Sequence, residues 1–143
     1  MSENETFEAL RYTADVVCLR GESVLLIERG WPPFQGSLAL PGGHVDPGET
    51  SRDAAARELL EETGVRIAPA GLVFVGLYDE PERDPRGRYI GAAYAVRVPE
   101  DTEALAGDDA AAVRWVPLSD LPRLLAFDHH LIVADARRTV FDR

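Results

Sequence analysis

The segment Arg57-Glu58-Leu59-Leu60-Glu61-Glu62 carries three glutamates at helical spacing. At about 100° per residue, Glu58, Glu61 and Glu62 fall within an arc of roughly 100°, while Ala55, Ala56, Leu59 and Leu60 lie on the opposite side. One face of such a helix is core and the other is carboxylate. Like charges three and four residues apart destabilise a helix by about 0.2–0.5 kcal/mol per pair, so the arrangement asks for a positive partner. Arg57 is the only cation in the second half of the helix. Oxygen ligands suit Mg²⁺ or Mn²⁺, and Mg²⁺ is usually held by one or two carboxylates acting together with substrate phosphates. The plain alternative for three helical glutamates taken alone is a solvated acidic face, and for Arg57 an ordinary helix pair with Glu61. Covalent catalysis has little support. Cys18, the single cysteine, sits in an apolar run, and no Ser or His falls in a triad pattern.

The elements that must position these groups follow from the flanking sequence. Tyr12 to Leu19 and Val24 to Arg29 are apolar, β-branched runs joined by Arg20-Gly21-Glu22-Ser23, which predicts a hairpin. Gly30 to Gly43 is rich in proline and glycine and leaves room only for a short strand at Leu38 to Leu40. Thr50 or Ser51 caps a helix over 51–63, and Gly64 supplies its left-handed stop. Leu72 to Asp79 and Tyr89 to Val98 predict a second hairpin around the turn Asp84-Pro85-Arg86-Gly87. Val113 to Val116 reads as a short strand, and Leu118 to Val140 alternates at helical spacing with a break near Phe127. The mixed order of strands and helices predicts one α/β layered domain over residues 1–143.

Counted from Gly43, the chain places Glu49, Arg57, Glu58, Leu59, Glu61, Glu62, Gly64 and Val65 at the fixed positions of a Nudix box, and every position is filled. The chain therefore resembles the Nudix hydrolases, and the resemblance implies a Nudix-type α/β/α sandwich with a mixed sheet. It implies Glu58 and Glu62 as principal metal ligands, Glu61 as a further ligand or base, and a backbone carbonyl at Gly42 or Gly43. Arg57 would orient the carboxylates, and Glu49 would support the loop or an outer metal. The activity implied is metal-dependent hydrolysis of a nucleoside diphosphate linked to another group.

Pro81, sixteen positions after Val65, together with Asp84-Pro85-Arg86-Gly87-Arg88, Ala93-Tyr94 and Phe127-Asp128-His129, resembles the ADP-ribose pyrophosphatase branch. That branch implies ADP-ribose as substrate, with AMP and ribose 5-phosphate as products. Arg29, Arg86, Arg88 and Tyr78 are the candidate substrate-binding residues, although turn geometry alone accounts for Pro85 and Gly87. Leu38 stands where many relatives carry Trp, so base stacking shifts to Trp31, Phe34 or Tyr78. His129 and His130 read as helix-surface or packing residues. A second acidic site is usual outside the box; Asp108 and Asp109 suit it, with Glu100, Asp101 and Glu103 as rivals, and Asp109 is the catalytic candidate. The alternatives are a nucleoside triphosphate pyrophosphohydrolase and a non-catalytic nucleotide sensor.

Fifteen arginines and no lysine stand against 25 acidic residues in 143, a net charge of −10. A duplex phosphate backbone would be repelled, so no duplex nucleic acid is expected as a partner. The polar, acidic opening MSENETFEAL has neither the basic start nor the apolar run of a signal peptide, and no stretch reaches the roughly 20 apolar residues of a membrane span. A cytoplasmic protein acting on a small nucleotide is expected, with a homodimer as the possible assembly.

Overall fold

The computed structural model describes residues 5–107 and 110–141. The elements run β1 (Arg11–Arg20), β2 (Ser23–Arg29), β3 (Leu38–Ala39), β4 (Gly42–His44), α1 (Ser51–Thr63), β5 (Val73–Tyr78), β6 (Tyr89–Val98), β7 (Ala110–Pro117) and α2 (His129–Ala136). All seven strands join one mixed sheet, β1 and β6 running parallel and the other pairs antiparallel. The side-chain alternation of β1 divides the core. Ala14, Val16 and Cys18 face α1, where they meet Ala54, Ala55, Ala56 and Leu59, while Val17 and Leu19 face α2 and its Ile132, Val133 and Ala136. A helix on each side of a central sheet is the expected α/β/α sandwich. Burial pushes the Cys18 thiol up to about 12, which makes it an inert core residue.

The β1–β2 hairpin turns at Gly21, whose φ of 57° favours glycine. Pairing between the two strands is confined to Leu19–Val24 and Arg20–Ser23. The first half of β1 instead pairs with β4, in the register Thr13–His44, Ala14–Gly43 and Asp15–Gly42. The strands splay there, and the opened seam is the cleft described below. No strand was expected at Gly42–His44, because Gly-Gly has no β propensity; tertiary pairing with β1 makes it one.

Helix α1 spans the expected 51–63, with the Thr50 side chain accepting from the Asp53 N–H and the Gly64 N–H returning to Leu60. Its buried face differs in one respect: Glu62 is buried with Ala54, Ala55, Ala56 and Leu59, while Leu60 is only half-buried. The C-terminal expectation needs a larger correction. Leu118 to Val140 is not one broken helix: a 3₁₀ turn at Leu118–Asp120 gives way to irregular chain, and α2 begins only at His129. Pro122 cannot donate a helical hydrogen bond, and Phe127 adopts φ 54°, which ends any helical run before Asp128. Leu125 and Ala126 are nonetheless buried, so apolar positions that looked helical serve a loop packed on the sheet. Among the described residues no helix is long and apolar enough to cross a membrane.

Candidate active site

Where β1 parts from β2, the sheet edge, the start of α2 and the turn 83–86 enclose a cleft in two compartments. The inner one, about 180 Å³, includes Asp15, Arg83, Phe127 and His129 in its wall. The outer one, about 430 Å³, runs past Trp31, Asp46 and Glu58. Arg29, Gly42, Gly43, Glu62 and Arg86 border both, so the compartments meet over the Gly42-Gly43 backbone.

The acidic side of that junction is built by α1. Glu62 turns inward and accepts the Gly42 N–H at 2.7 Å. Glu58 lies over Gly43, where an added Cβ would stand 2.5 Å from its carboxyl group, so only glycine lets helix and strand approach this closely. Arg57 organises the rest: it binds both oxygens of Glu49 at 2.8 and 2.9 Å, Glu58 at 2.9 Å, Glu61 at 3.1 Å and the His44 carbonyl at 3.0 Å. The helix pair Arg57–Glu61 and the orienting role are thus the same arrangement. The Arg57 hydrogen bonds hold Glu49 down at about 2. Burial pushes Glu58 above the ordinary carboxylate range, and Arg57 offsets only part of that rise. A carboxylate crowded by Glu61 and stripped of water is suited to a cation.

Among the described residues no three acidic, histidine or cysteine side chains converge closely enough to hold an ion unaided. The donors on offer are Glu58, Glu62 and the backbone of Gly42 and Gly43. That hard-oxygen set fits Mg²⁺ or Mn²⁺, which complete their shells with water and substrate phosphate. Glu61, the further ligand or base expected from the sequence, lines neither compartment; its side chain is 57% exposed and held by Arg57. Asp108 and Asp109 lie outside the described residues. Gly107 just before them donates to the Glu62 carbonyl at 2.8 Å, and Leu105 donates to the Thr63 carbonyl at 2.9 Å, so that loop leaves from the end of α1. Glu100, Asp101 and Glu103 do not line either compartment.

The cationic side comes from two of the expected arginines. The guanidiniums of Arg29 and Arg86 stand 4.8 and 5.6 Å from the centre of the Phe127 ring, and Arg29 also donates to the Pro33 carbonyl. Burial lowers the Arg29 pKa, and the neighbouring Arg86 lowers it further. Arg86 is fixed by Asp84 through a turn: its N–H donates to Asp84 Oδ1 at 2.9 Å while its guanidinium binds both carboxylate oxygens. Burial works against the Asp84 carboxylate, but these bonds outweigh it and hold its pKa below the ordinary value.

Arg88 and Tyr78 are not brought to the cleft. Arg88 pairs with Glu8 at 3.1 Å, and the Tyr78 hydroxyl donates to Asp135 of α2 at 2.7 Å. Trp31 is exposed at the outer rim, whereas Phe34 packs edge-on against Phe127 at 4.9 Å. Sequence reasoning missed Asp15 and Arg83; Asp84 and His129 stood in stretches quoted for the branch resemblance, but Asp84 was given no site role and His129 was read as a surface or packing residue. His129 accepts the Leu40 N–H at 2.9 Å through Nδ1, which leaves its proton on Nε2, and burial pulls its pKa down to about 3. A signal existed for Asp15: period-two alternation puts it on the face of Val17 and Leu19, where a charged residue is anomalous.

The NUDIX domain profile matches residues 9–136. An ADP-ribose pyrophosphatase of Methanocaldococcus jannaschii is 42% identical over 124 residues, covering 87% of this chain and 71% of the relative. The solved NUDIX domain of Shewanella oneidensis NrtR complexed with ADP ribose superposes with a TM-score of 0.83 at 28% identity, over 96% of this chain and 98% of that one. A bifunctional NMN adenylyltransferase/ADP ribose pyrophosphatase from Francisella tularensis, complexed with AMP and a Mn ion, superposes at 0.82 with 29% identity, over 94% of this chain and 43% of that one. A complete box laid out on this fold, matched along nearly the whole chain, places the protein in the NUDIX family of pyrophosphohydrolases.

Proposed function

We propose that the protein hydrolyses the diphosphate link of a nucleoside diphosphate sugar, with ADP-ribose as the leading substrate, to AMP and ribose 5-phosphate. One observation carries this reading: Arg29 and Arg86 face Glu58 and Glu62 across the Gly42-Gly43 backbone, so a diphosphate at the junction meets guanidiniums on one side and a cation-binding acidic wall on the other. The relative from Methanocaldococcus jannaschii and the ADP-ribose complex support the substrate class.

Glu58, Glu62 and the Gly42 or Gly43 carbonyl would hold Mg²⁺, with Mn²⁺ as a substitute. When bound, the ion polarises the phosphoryl oxygens and acidifies water. The chain's own residues do the rest. Arg29 and Arg86 bind the non-bridging oxygens and hold the diphosphate in line for attack. Arg57 keeps Glu58 and Glu61 in fixed rotamers. Glu61, held by Arg57 one turn from Glu58, would serve as a further ligand or base, and Asp109 is proposed as the base that takes the proton of the attacking water. The bridging oxygen leaves with one phosphate while water oxygen joins the other, so two monophosphates result and no covalent intermediate is needed.

A panel of ADP-ribose, other nucleoside diphosphate sugars and nucleoside triphosphates, assayed with Mg²⁺ for released monophosphate and pyrophosphate, tests the choice. ADP-ribose should have the highest kcat/KM. Fast pyrophosphate release from a triphosphate, with ADP-ribose untouched, would replace this reading by a triphosphate pyrophosphohydrolase.

A further inference from the structure

The inner compartment contains a carboxylate that no hydrogen-bond donor reaches among the described residues. The Asp15 side chain is only 9% exposed, and His129 Nε2 stands 3.7 Å from Oδ1, beyond hydrogen-bonding range. Its oxygen stands directly against Gly42, where a Cβ would collide with it, so the missing side chain at 42 makes room for this carboxylate. Arg83 lies in the same wall but is committed, its Nε and Nη2 binding both oxygens of Asp128 at 2.8 and 2.7 Å. A buried acid without donors costs stability. The Arg83 and Arg29 charges offset part of that cost, but among the described residues no donor reaches the Asp15 oxygens.

We propose that Asp15 reads the sugar of the substrate, accepting hydrogen bonds from hydroxyls of the polyol attached to the diphosphate, while the His129 Nε2–H donates to one of the same hydroxyls. This deepens the proposed function and rests on it. The compartment offers an acceptor and a donor side by side, which suits a hydroxyl, itself both donor and acceptor. A metal ion or ammonium group would face the Arg83 guanidinium and the imidazole N–H, neither of which can accept. A purine would need a free aromatic face, and the Phe127 ring here is shared by Arg29, Arg86 and Phe34. Because the compartment opens onto Gly42 and Gly43, a polyol held there is joined directly to the phosphate at the reacting centre.

A site built to bond a hydroxyl rejects an analogue that lacks one far more strongly than an apolar pocket rejects a size change. The test compares ADP-ribose with an ADP butyl ester, which keeps the diphosphate and the nucleoside but carries no distal hydroxyl. Wild type should favour ADP-ribose by about a hundredfold in kcat/KM, and Asp15→Asn should shrink that preference by roughly tenfold, chiefly through the KM for ADP-ribose. Equal loss on both substrates would make Asp15 a support of the reaction centre and overturn the proposal. So would an unchanged preference in the variant. The wild-type preference needs no variant: no discrimination between the two substrates overturns the proposal even if Asp15→Asn does not fold. Failure of wild type to cleave either compound, by contrast, would strike the proposed function itself.

Discussion

On the α1 wall of the cleft Arg57 reaches four carboxylates, Asp46, Glu49, Glu58 and Glu61, at 2.8 to 3.5 Å, whereas on the facing wall Asp15 is buried with no hydrogen bond to any described residue. The first wall concentrates negative charge and neutralises part of it internally. The second leaves one carboxylate, Asp15, without a donor beside groups that are paired, His129 with the Leu40 N–H and Arg83 with Asp128. Repulsion on the α1 wall is relieved by a cation, so that wall should respond to metal. Unmet hydrogen bonding on the β1–α2 wall is relieved by a neutral polar ligand, so that wall should respond to the sugar. Function and apo stability oppose each other on both walls, for different physical reasons.

The largest effect should come from Glu62→Gln, which keeps size and helix propensity and removes one charge from the metal wall. Turnover should fall at least about a hundredfold, and thermal stabilisation by Mg²⁺ should shrink. In chelator the variant should melt at the wild-type temperature or slightly above it, since the crowding is reduced. Full activity with an unchanged Mg²⁺ response would leave Glu62 a structural acid for the Gly42 N–H. Next in size, Asp109→Asn should lower kcat roughly tenfold or more with little change in KM, the signature of a group acting mainly in the transition state. Wild-type turnover there would shift the role of base to Glu61.

A smaller contrast separates the arginines. Arg86→Gln should raise KM about tenfold by removing a charge-assisted bond to phosphate, while Arg88→Gln, which loses only a surface pair with Glu8, should change it by less than about threefold. Steady-state kinetics that rank them in the opposite order would move the substrate out of this cleft. The smallest effect concerns His129, whose folded pKa of about 3 lies below its ordinary value. The unfolded chain takes up a proton below about pH 6.5 while the folded one stays neutral, so stability is lost as pH falls from about 6.5 toward 3. In His129→Gln this contribution is absent, and the gap between variant and wild-type melting temperatures should vary across that window. A gap that stays constant with pH would place a charged His129 in the folded cleft.

The two walls also differed in how far the sequence revealed them. Helix α1 announces itself through local rules: the Thr50 cap, the Gly64 stop and glutamates spaced at three and four residues all lie within one element, and the helix occupies the expected span. The facing wall is assembled from residues far apart in the chain, Asp15 on β1, Arg83 in a turn and His129 opening α2, and no local pattern joins them. The C-terminal segment misled for a related reason. Leu118, Leu121 and Leu125 sit at helical intervals because a loop drapes them over the sheet, and the left-handed Phe127 that swings His129 into the cleft has no marker in sequence. Arg29 and Arg86 were expected at the substrate and both line the cleft, yet their convergence on one aromatic ring is a tertiary fact.

The pairing of a cation-binding wall with a diphosphate-binding junction is tested most directly by following AMP release from ADP-ribose as Mg²⁺ is added and then withdrawn with chelator. AMP and ribose 5-phosphate should appear in equal amounts with metal, and release should stop on chelation and resume when Mg²⁺ is restored. AMP release that continues undiminished in chelator, or no AMP at any Mg²⁺ concentration, would contradict the account.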